Sequence, residues 1–400
     1  MSSDNSAPNA SSVELSPAQH LQHVSRVIEA EVGNFDDETR KSALGMAKNI
    51  VKSLEKPEET VMRYAWEFGP QRMALRVGID LRLFRMLAES DAEPLSAQEL
   101  AESSNAEVLL IGFAKEADEQ LYLATDLTRA MAKHPLEAAL KVCHDRTTIV
   151  QMHMPEYFRK FGYKVPTDGS HGPFQWALNT EMSYFEMTQA DLEKLHDFSV
   201  YMSGIRVTRK HWIDWFPVVD EILSSFGGAQ DEVLLVDMGG AYGHDLEKFL
   251  GKFPEAKGHL VLQDLPKTIE NVVGLSEGIH AMSHDIYTEQ PVKSARVYYT
   301  HFLLHDFSDK KCREILRNLM PAMKPGYSKI LLNESVLPER DCPAFFAAGD
   351  LNMMSCLAGI KRTEKQWVDL VSLVGLELVK IWKNPFSDDE EGVIEVVLKT

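Results

Sequence analysis

Four hundred residues, 44% hydrophobic and 26% charged, are more than one compact core usually holds, so two domains are expected. The formal charge of −18 argues against a nucleic-acid or anionic-membrane partner, either of which needs a basic surface. No apolar run reaches membrane-spanning length, and Cys143, Cys312, Cys342 and Cys356 are scattered without metal-ligand spacing, which fits reduced thiols in a cytoplasmic protein.

The opening MSSDNSAPNASSVELSP has neither a basic end nor a hydrophobic stretch, so it is no signal peptide, and residues 1–20 are expected to form a disordered polar lead. Apolar residues then recur at helical spacing from Leu21 to Leu54, and Pro57 closes the segment. RMALRVGIDLRLFRML continues the helical pattern, and PLSAQELAESS reads as a short helix capped by Ser96 and Glu99. FAKEADEQLYLAT, two apolar pieces about a polar turn, suggests a small hairpin. Together these make a winged-helix-like unit, and without a basic recognition helix it reads as a dimerisation module rather than a DNA reader. KVPTDGSHGPF is a loop leading into further helix from Gln175 to Phe226, whose aromatics and methionines form either core or the wall of an apolar pocket.

At Gly227 the pattern changes to strands alternating with helices, EVLLVDM, GHLVLQD, ARVYYTH, SKILLNESV and LELVKIW, which implies a mainly parallel, doubly wound sheet. The final VIEVVLKT follows the acidic turn SDDEEG and is expected to pair antiparallel with LELVKIW. Asp237, Gly239, Gly240 and Gly243 fall at the carboxyl end of the first strand, where such sheets bind ligands and where glycines allow close backbone approach. Asp264 lies about twenty residues beyond, where an acid reaches a ribose diol. Asp285 follows another short extended run, within reach of an adenine amino group. Three acids at successive strand ends would repel a pyrophosphate and suit a nucleoside with a cationic sulfonium, so S-adenosylmethionine is expected rather than NAD. His305 and Asp306 stand where a hydrophobic strand stops and a helix starts, and Glu334 sits in the next apolar run.

MPEYFRKFGYKVPTDG, LLVDMGGAYGHDL, HLVLQDLP, LLHDFSDKKCREILRNL, MKPGYSKILLNESVLP and RTEKQW, in this order, make the chain resemble the plant-type and fungal S-adenosylmethionine-dependent O-methyltransferases, some of whose members are pericyclases. The resemblance implies an α/β class I methyltransferase fold with a Rossmann-like seven-stranded sheet over residues 227–400. It also implies an N-terminal all-α, winged-helix dimerisation domain over 21–226 that roofs the substrate pocket of a homodimer. Asp237, Gly239, Gly240, Gly243, Asp264, Leu265, Asp285 and Ile286 would then line the cofactor site. His305 would be the general base toward a phenolic or enolic hydroxyl of a small-molecule natural product, Glu334 would orient its imidazole, and Asp306 would hold the strand-to-helix junction.

Phe185, Met202, Met353, His301 and His153 are candidates for the substrate side; for the two histidines ordinary packing is the competing reading. The sequence also departs from the family. Ala241 replaces the usual third glycine, and the stretch between NAEVLL and IGFAKE is short. Lys361 stands where a second glutamate is expected beside the base. Either its side chain swings to solvent, or the reaction has changed, a cationic donor serving a pericyclase or dehydratase that does not consume its cofactor.

Overall fold

The computed structural model describes residues 16–90, 93–104, 115–207, 210–385 and 391–399. The chain divides into two compact units, Met1–Met73 and Ala74–Thr400. The first carries helices Pro17–Glu31, Asp37–Leu54 and Pro57–Trp66, none of which buries a residue. Its first helix starts ahead of the expected Leu21. Ser16 and Gln19 exchange side-chain to backbone hydrogen bonds in a capping box, and Pro17 occupies the first turn, where its missing N–H costs nothing. Pro57 follows the end of one helix and opens the next by the same logic. Residues 1–15 of the expected polar lead lie outside the described residues.

In the second unit one helix ends at Asp80 and another runs Leu83–Glu89, because Arg82 takes a left-handed φ of 57° that breaks the expected continuous helix. Strands β1 (Leu95–Ser96), β2 (Lys115–Asp118) and β3 (Leu121–Leu123) form a small antiparallel sheet in the order β1-β3-β2 beside the helix Ala97–Ser104. The Ser96 and Glu99 cap forms as expected. The short NAEVLL–IGFAKE stretch falls almost wholly in 105–114, outside the described residues. Helices Ile149–Phe161, Pro173–Leu178 and Tyr184–Gln189 follow, and Val150, Phe174, Tyr184 and Cys356 form the small core beneath them.

The large sheet contains β4 (Leu235–Met238), β5 (Leu260–Asp264), β6 (Ile279–Ser283), β7 (Val297–His301), β8 (Lys329–Leu337), β10 (Leu376–Lys383) and β11 (Glu391–Leu398) in the order β10-β11-β8-β7-β4-β5-β6. A short β9 (Arg362–Thr363) pairs parallel with the far end of β8. The expected seven strands and the closing antiparallel hairpin are present. The acidic turn that joins the hairpin falls mostly outside the described residues.

Both faces are covered, so neighbouring residues of one strand serve different cores. Val236, Tyr298, Ile330 and Leu332 pack with Trp367 and Leu370; Leu235, Val297, Tyr299 and Leu331 pack with Trp212 and Phe249. The order reverses between β4 and β7, whose neighbouring carboxyl ends form the switch point where ligands bind in such sheets.

Candidate active site

At the end of β4 the chain turns through Gly239, at φ 73°, Ala241, at 51°, and Gly243, at 79°. A Cβ added to Gly240 would stand 2.4 Å from Asp237 Oδ2 and 2.6 Å from Leu262 Cδ1, so the backbone fits only without a side chain. The left-handed conformation at Ala241 is one that a third glycine would adopt at no cost. Here the Ala241 N–H donates to Asp264 Oδ2 at 2.9 Å, and the Leu265 N–H donates to Asp264 Oδ1 at 2.8 Å. Asp264 is thus fixed at the rim of the turn, beside the exposed Leu265. Past the end of β6, Asp285 Oδ1 accepts the Tyr287 N–H at 2.9 Å, and Ile286 packs against the core. A backbone cradle closed to side chains, flanked by fixed carboxylates, fits a cationic nucleoside.

The base candidate is built from three segments. β7 ends at His301, Phe302 turns at φ 51°, and Leu304–Asp306 form one 3-10 turn. Glu334 on β8 is fully buried; its Oε1 accepts the N–H groups of Leu304 and His305, and its Oε2 lies 2.7 Å from His305 Nδ1. A carboxylate only accepts, so Nδ1 carries the proton and Nε2 is left for chemistry. Burial would raise the Glu334 carboxyl, but the imidazole beside it holds it below its ordinary value. His305 is pulled down by burial and by Lys361, yet the charges of Glu334 and Asp306 leave it above its ordinary value.

Asp306 does more than hold a junction. Its Oδ1 lies 3.4 Å from His305 Nε2, so the imidazole stands between two carboxylates. Burial pushes Asp306 up to about 6, with Glu334 adding to the rise and His305 opposing it. Lys361 stands at the position expected for a second glutamate, and the second carboxylate near the ring is that of Asp306.

Lys361 does not swing to solvent. Its ammonium donates to Ser335 Oγ at 3.2 Å and its backbone N–H to Asp350 Oδ1 at 2.7 Å. Arg362, fully buried, is a residue that sequence reasoning missed. Its guanidinium donates to the carbonyls of Leu304, Phe307 and Ile360 and to Asp309, fastening the base turn to β9. Gly359 permits this, since a Cβ there would stand 2.3 Å from the carbonyl oxygen of His305. Its mark in the sequence is its place directly after Lys361 in KRTE.

His301 is brought into a hub rather than against the base. Asp245 Oδ2 lies 2.6 Å from His301 Nδ1, Asp245 Oδ1 lies 2.9 Å from His211 Nε2, and Tyr299 donates its hydroxyl to Asp245 Oδ2 at 3.4 Å. This ties the helix after the glycine turn to the strand that leads to the base. Met353 lies half-buried on the helix Ala344–Leu357, to which Gln151 reaches through Asn352 at 2.5 Å. His153, half a turn further, hydrogen-bonds to its own helix at Ile149 and stands edge-on to Trp176. Phe185 stands edge-on to Tyr184 and Phe198 at the border of the small core, and Met202 is half-buried on the helix Leu192–Val207.

With this geometry in place, the comparisons with known proteins agree. A family model for an O-methyltransferase domain matches residues 172–377. The chain is 35% identical to the O-methyltransferase penC of Penicillium thymicola, over 90% of this chain and 92% of that one. It is 37% identical to the O-methyltransferase asqD of Emericella nidulans, over 81% and 85%. Among solved structures, LepI in complex with SAM superposes with a TM-score of 0.83 at 27% identity, over 96% of this chain and all of LepI. OxaC in complex with sinefungin and meleagrin, at 0.82 and 23%, over 96% and 98%, shares the fold.

Proposed function

The chain belongs to the O-methyltransferase family and uses S-adenosylmethionine, and from that premise we propose that His305 removes the proton from a phenolic or enolic hydroxyl of a natural product as that oxygen is methylated. The observation that carries this reading is the pairing of His305 Nδ1 with the buried Glu334, which fixes the tautomer and supports the imidazolium that forms. When bound, S-adenosylmethionine supplies an electrophilic methyl group. Gly239, Gly240 and Gly243 let the backbone approach it, Asp237 and Asp264 with Leu265 hold the ribose side, and Asp285 and Ile286 hold the adenine side. Met353, Phe185, Met202 and His153 shape the acceptor side, and His301 positions the strand end through Asp245. Orientation supplies most of the rate in such a site.

Residues 21–226 serve as the dimerisation and roof region and 227–400 as the catalytic domain. A homodimer is supported by the first unit, where Ile50, Val51, Leu54, Val61, Tyr64 and Trp66 are exposed along helices with nothing buried. Sedimentation of the full chain should give a dimer, and Trp66→Glu should shift it to monomer. Among the described residues no helix is long and apolar enough to cross a membrane and no two cysteines are joined in a disulfide; a cytoplasmic place of work is part of the same reading.

The test is S-adenosylhomocysteine formation across a panel of phenols and acidic enols, abolished by His305→Asn. A second reading, a pericyclase or dehydratase in which the methyl group is not consumed, is favoured by one observation: a lysine ammonium held on Ser335, whose charge acts on the imidazole, in a chain that is 27% identical to a solved pericyclic reaction enzyme. Turnover of a dehydrating pyridone-type intermediate without S-adenosylhomocysteine would establish it in place of the first.

A further inference from the structure

We propose that Lys361 makes this site selective for acceptors that arrive already ionised, the enolates of acidic 1,3-dicarbonyl or vinylogous-acid systems, with one oxygen of the delocalised anion on Lys361 and the other presented for methylation. The inference rests on the methyl-transfer part of that reading and names its preferred substrate class; His305 serves as base for those acceptors that arrive protonated.

Three features hold the ammonium in place. Ser335, on which it is anchored, follows Glu334 directly on β8. Asp350, which accepts the Lys361 N–H, fixes the backbone. Gly349 leaves the lane open, since a Cβ there would stand 3.3 Å from Lys361 Cε and 3.5 Å from Nζ. From this position its charge acts on His305, Asp306 and Glu334 together. Compared with the glutamate expected there, a lysine shifts this corner of the pocket by two charges toward positive.

That shift has opposite effects on two kinds of acceptor. A weakly acidic phenol must give its proton to His305, and a cation nearby disfavours the imidazolium that results. An enolate brings no proton. Its negative charge is stabilised by the ammonium of Lys361, held on Ser335 next to the buried Glu334. In transfer to it, an oxygen electron pair forms the new C–O bond while the methyl carbon's bond to sulfur breaks with its pair remaining on sulfur. No proton passes to the protein, and anion and sulfonium become a neutral enol ether and a neutral thioether. The groups that set the pH response at this point are Glu334 and Asp306 on the imidazole, Lys361 beside them, and Asp350 and Arg362 on the flanking segments.

The experiment is calorimetric binding of two probes to the full-length protein saturated with S-adenosylhomocysteine at neutral pH: 4-hydroxycoumarin, an anionic enol, and 4-methoxycoumarin, its neutral methyl ether. The wild type should bind the enolate more tightly than the ether. Lys361→Met should weaken the enolate at least tenfold and leave the ether within about threefold, while Lys361→Arg should retain most of the enolate affinity. Equal binding of both probes to the wild type, no binding of the enolate, or an unchanged enolate affinity in Lys361→Met would each overturn the proposal. S-adenosylhomocysteine affinity, measured first on each protein, reports folding and the cofactor site. Loss of that affinity in the wild type would instead sink the reading on which this one rests.

Discussion

Two neighbouring strand ends form the two halves of the site by opposite means. At the end of β4 the structure works by leaving side chains out: Gly240 has no room for a Cβ, and the functional groups are backbone amides and carboxylates fixed by them. At the end of β7 it works by bringing side chains in. His305, Glu334, Asp306, Lys361 and Arg362 come from three separate segments, and nearly every polar contact crosses between them. The first half is set by space, with no room for a Cβ at Gly240. The second tolerates little change in charge.

The largest expected effect falls on the second half. His305→Asn keeps the size and loses the basic nitrogen, and should lower kcat by about 10²–10⁴ on a phenolic acceptor while S-adenosylhomocysteine binding stays intact. A mutant at wild-type rate would show that the two halves do not differ as described. Glu334→Ala comes next. It removes the buried partner of the imidazole and the acceptor of two backbone N–H groups, and should cost roughly 3–5 kcal/mol of stability by denaturant titration. A loss under about 1 kcal/mol would mean that the carboxylate is not the organiser of the turn. Gly240→Val tests the first half by volume. Strain of about 1–3 kcal/mol is expected, with S-adenosylhomocysteine affinity reduced at least tenfold, whereas Asp264→Asn, which keeps the shape, should be milder. The reverse order of these two would break the contrast between a site set by space and one set by charge.

Much of the first half was legible in the sequence because it is local. The apolar run into VDMGG, the turn and the acid some twenty residues on lie in one stretch, and buried parallel strands write themselves as continuous apolar runs. Ala241 was seen as a lost glycine, and the structure adds how the turn absorbs it, at a left-handed φ with its N–H on Asp264. The pairing of His305 with Glu334 was expected from the resemblance, and the structure brings the two side chains together. The rest of the second half was not, because it depends on encounters between distant positions. The Asp245 hub joins His211, 34 residues away, and His301, 56 residues away, and no periodicity announces that meeting. Nor does any local pattern say whether a lysine lies on Ser335 or in solvent; only the register of β8 and β9 decides it. The helix start at Pro17 is written in Ser16 and Gln19, whereas apolar spacing alone begins only at Leu21.

The smallest expected effect concerns Asp306, and its sign follows from its environment. A carboxyl raised from 3.8 to about 6 in the folded protein keeps its proton longer than the same group in the unfolded chain. Below about pH 4 both states are protonated and the group contributes no difference. As pH rises toward 6 the unfolded chain gives up its proton first, so the folded state holds more protons and stability falls; above 6 the loss is complete. Asp306→Asn removes this dependence while keeping the shape. The variant should therefore gain on the order of 1–2 kcal/mol relative to wild type between pH 4.5 and pH 7.5, read as the difference between two denaturant titrations. A variant that shows no gain over wild type across that window would show that the attraction of Asp306 to the His305 imidazolium outweighs its burial. The imidazole would then be held by two ionised carboxylates, and the second half of the site would be governed by ion pairing on both sides of the ring.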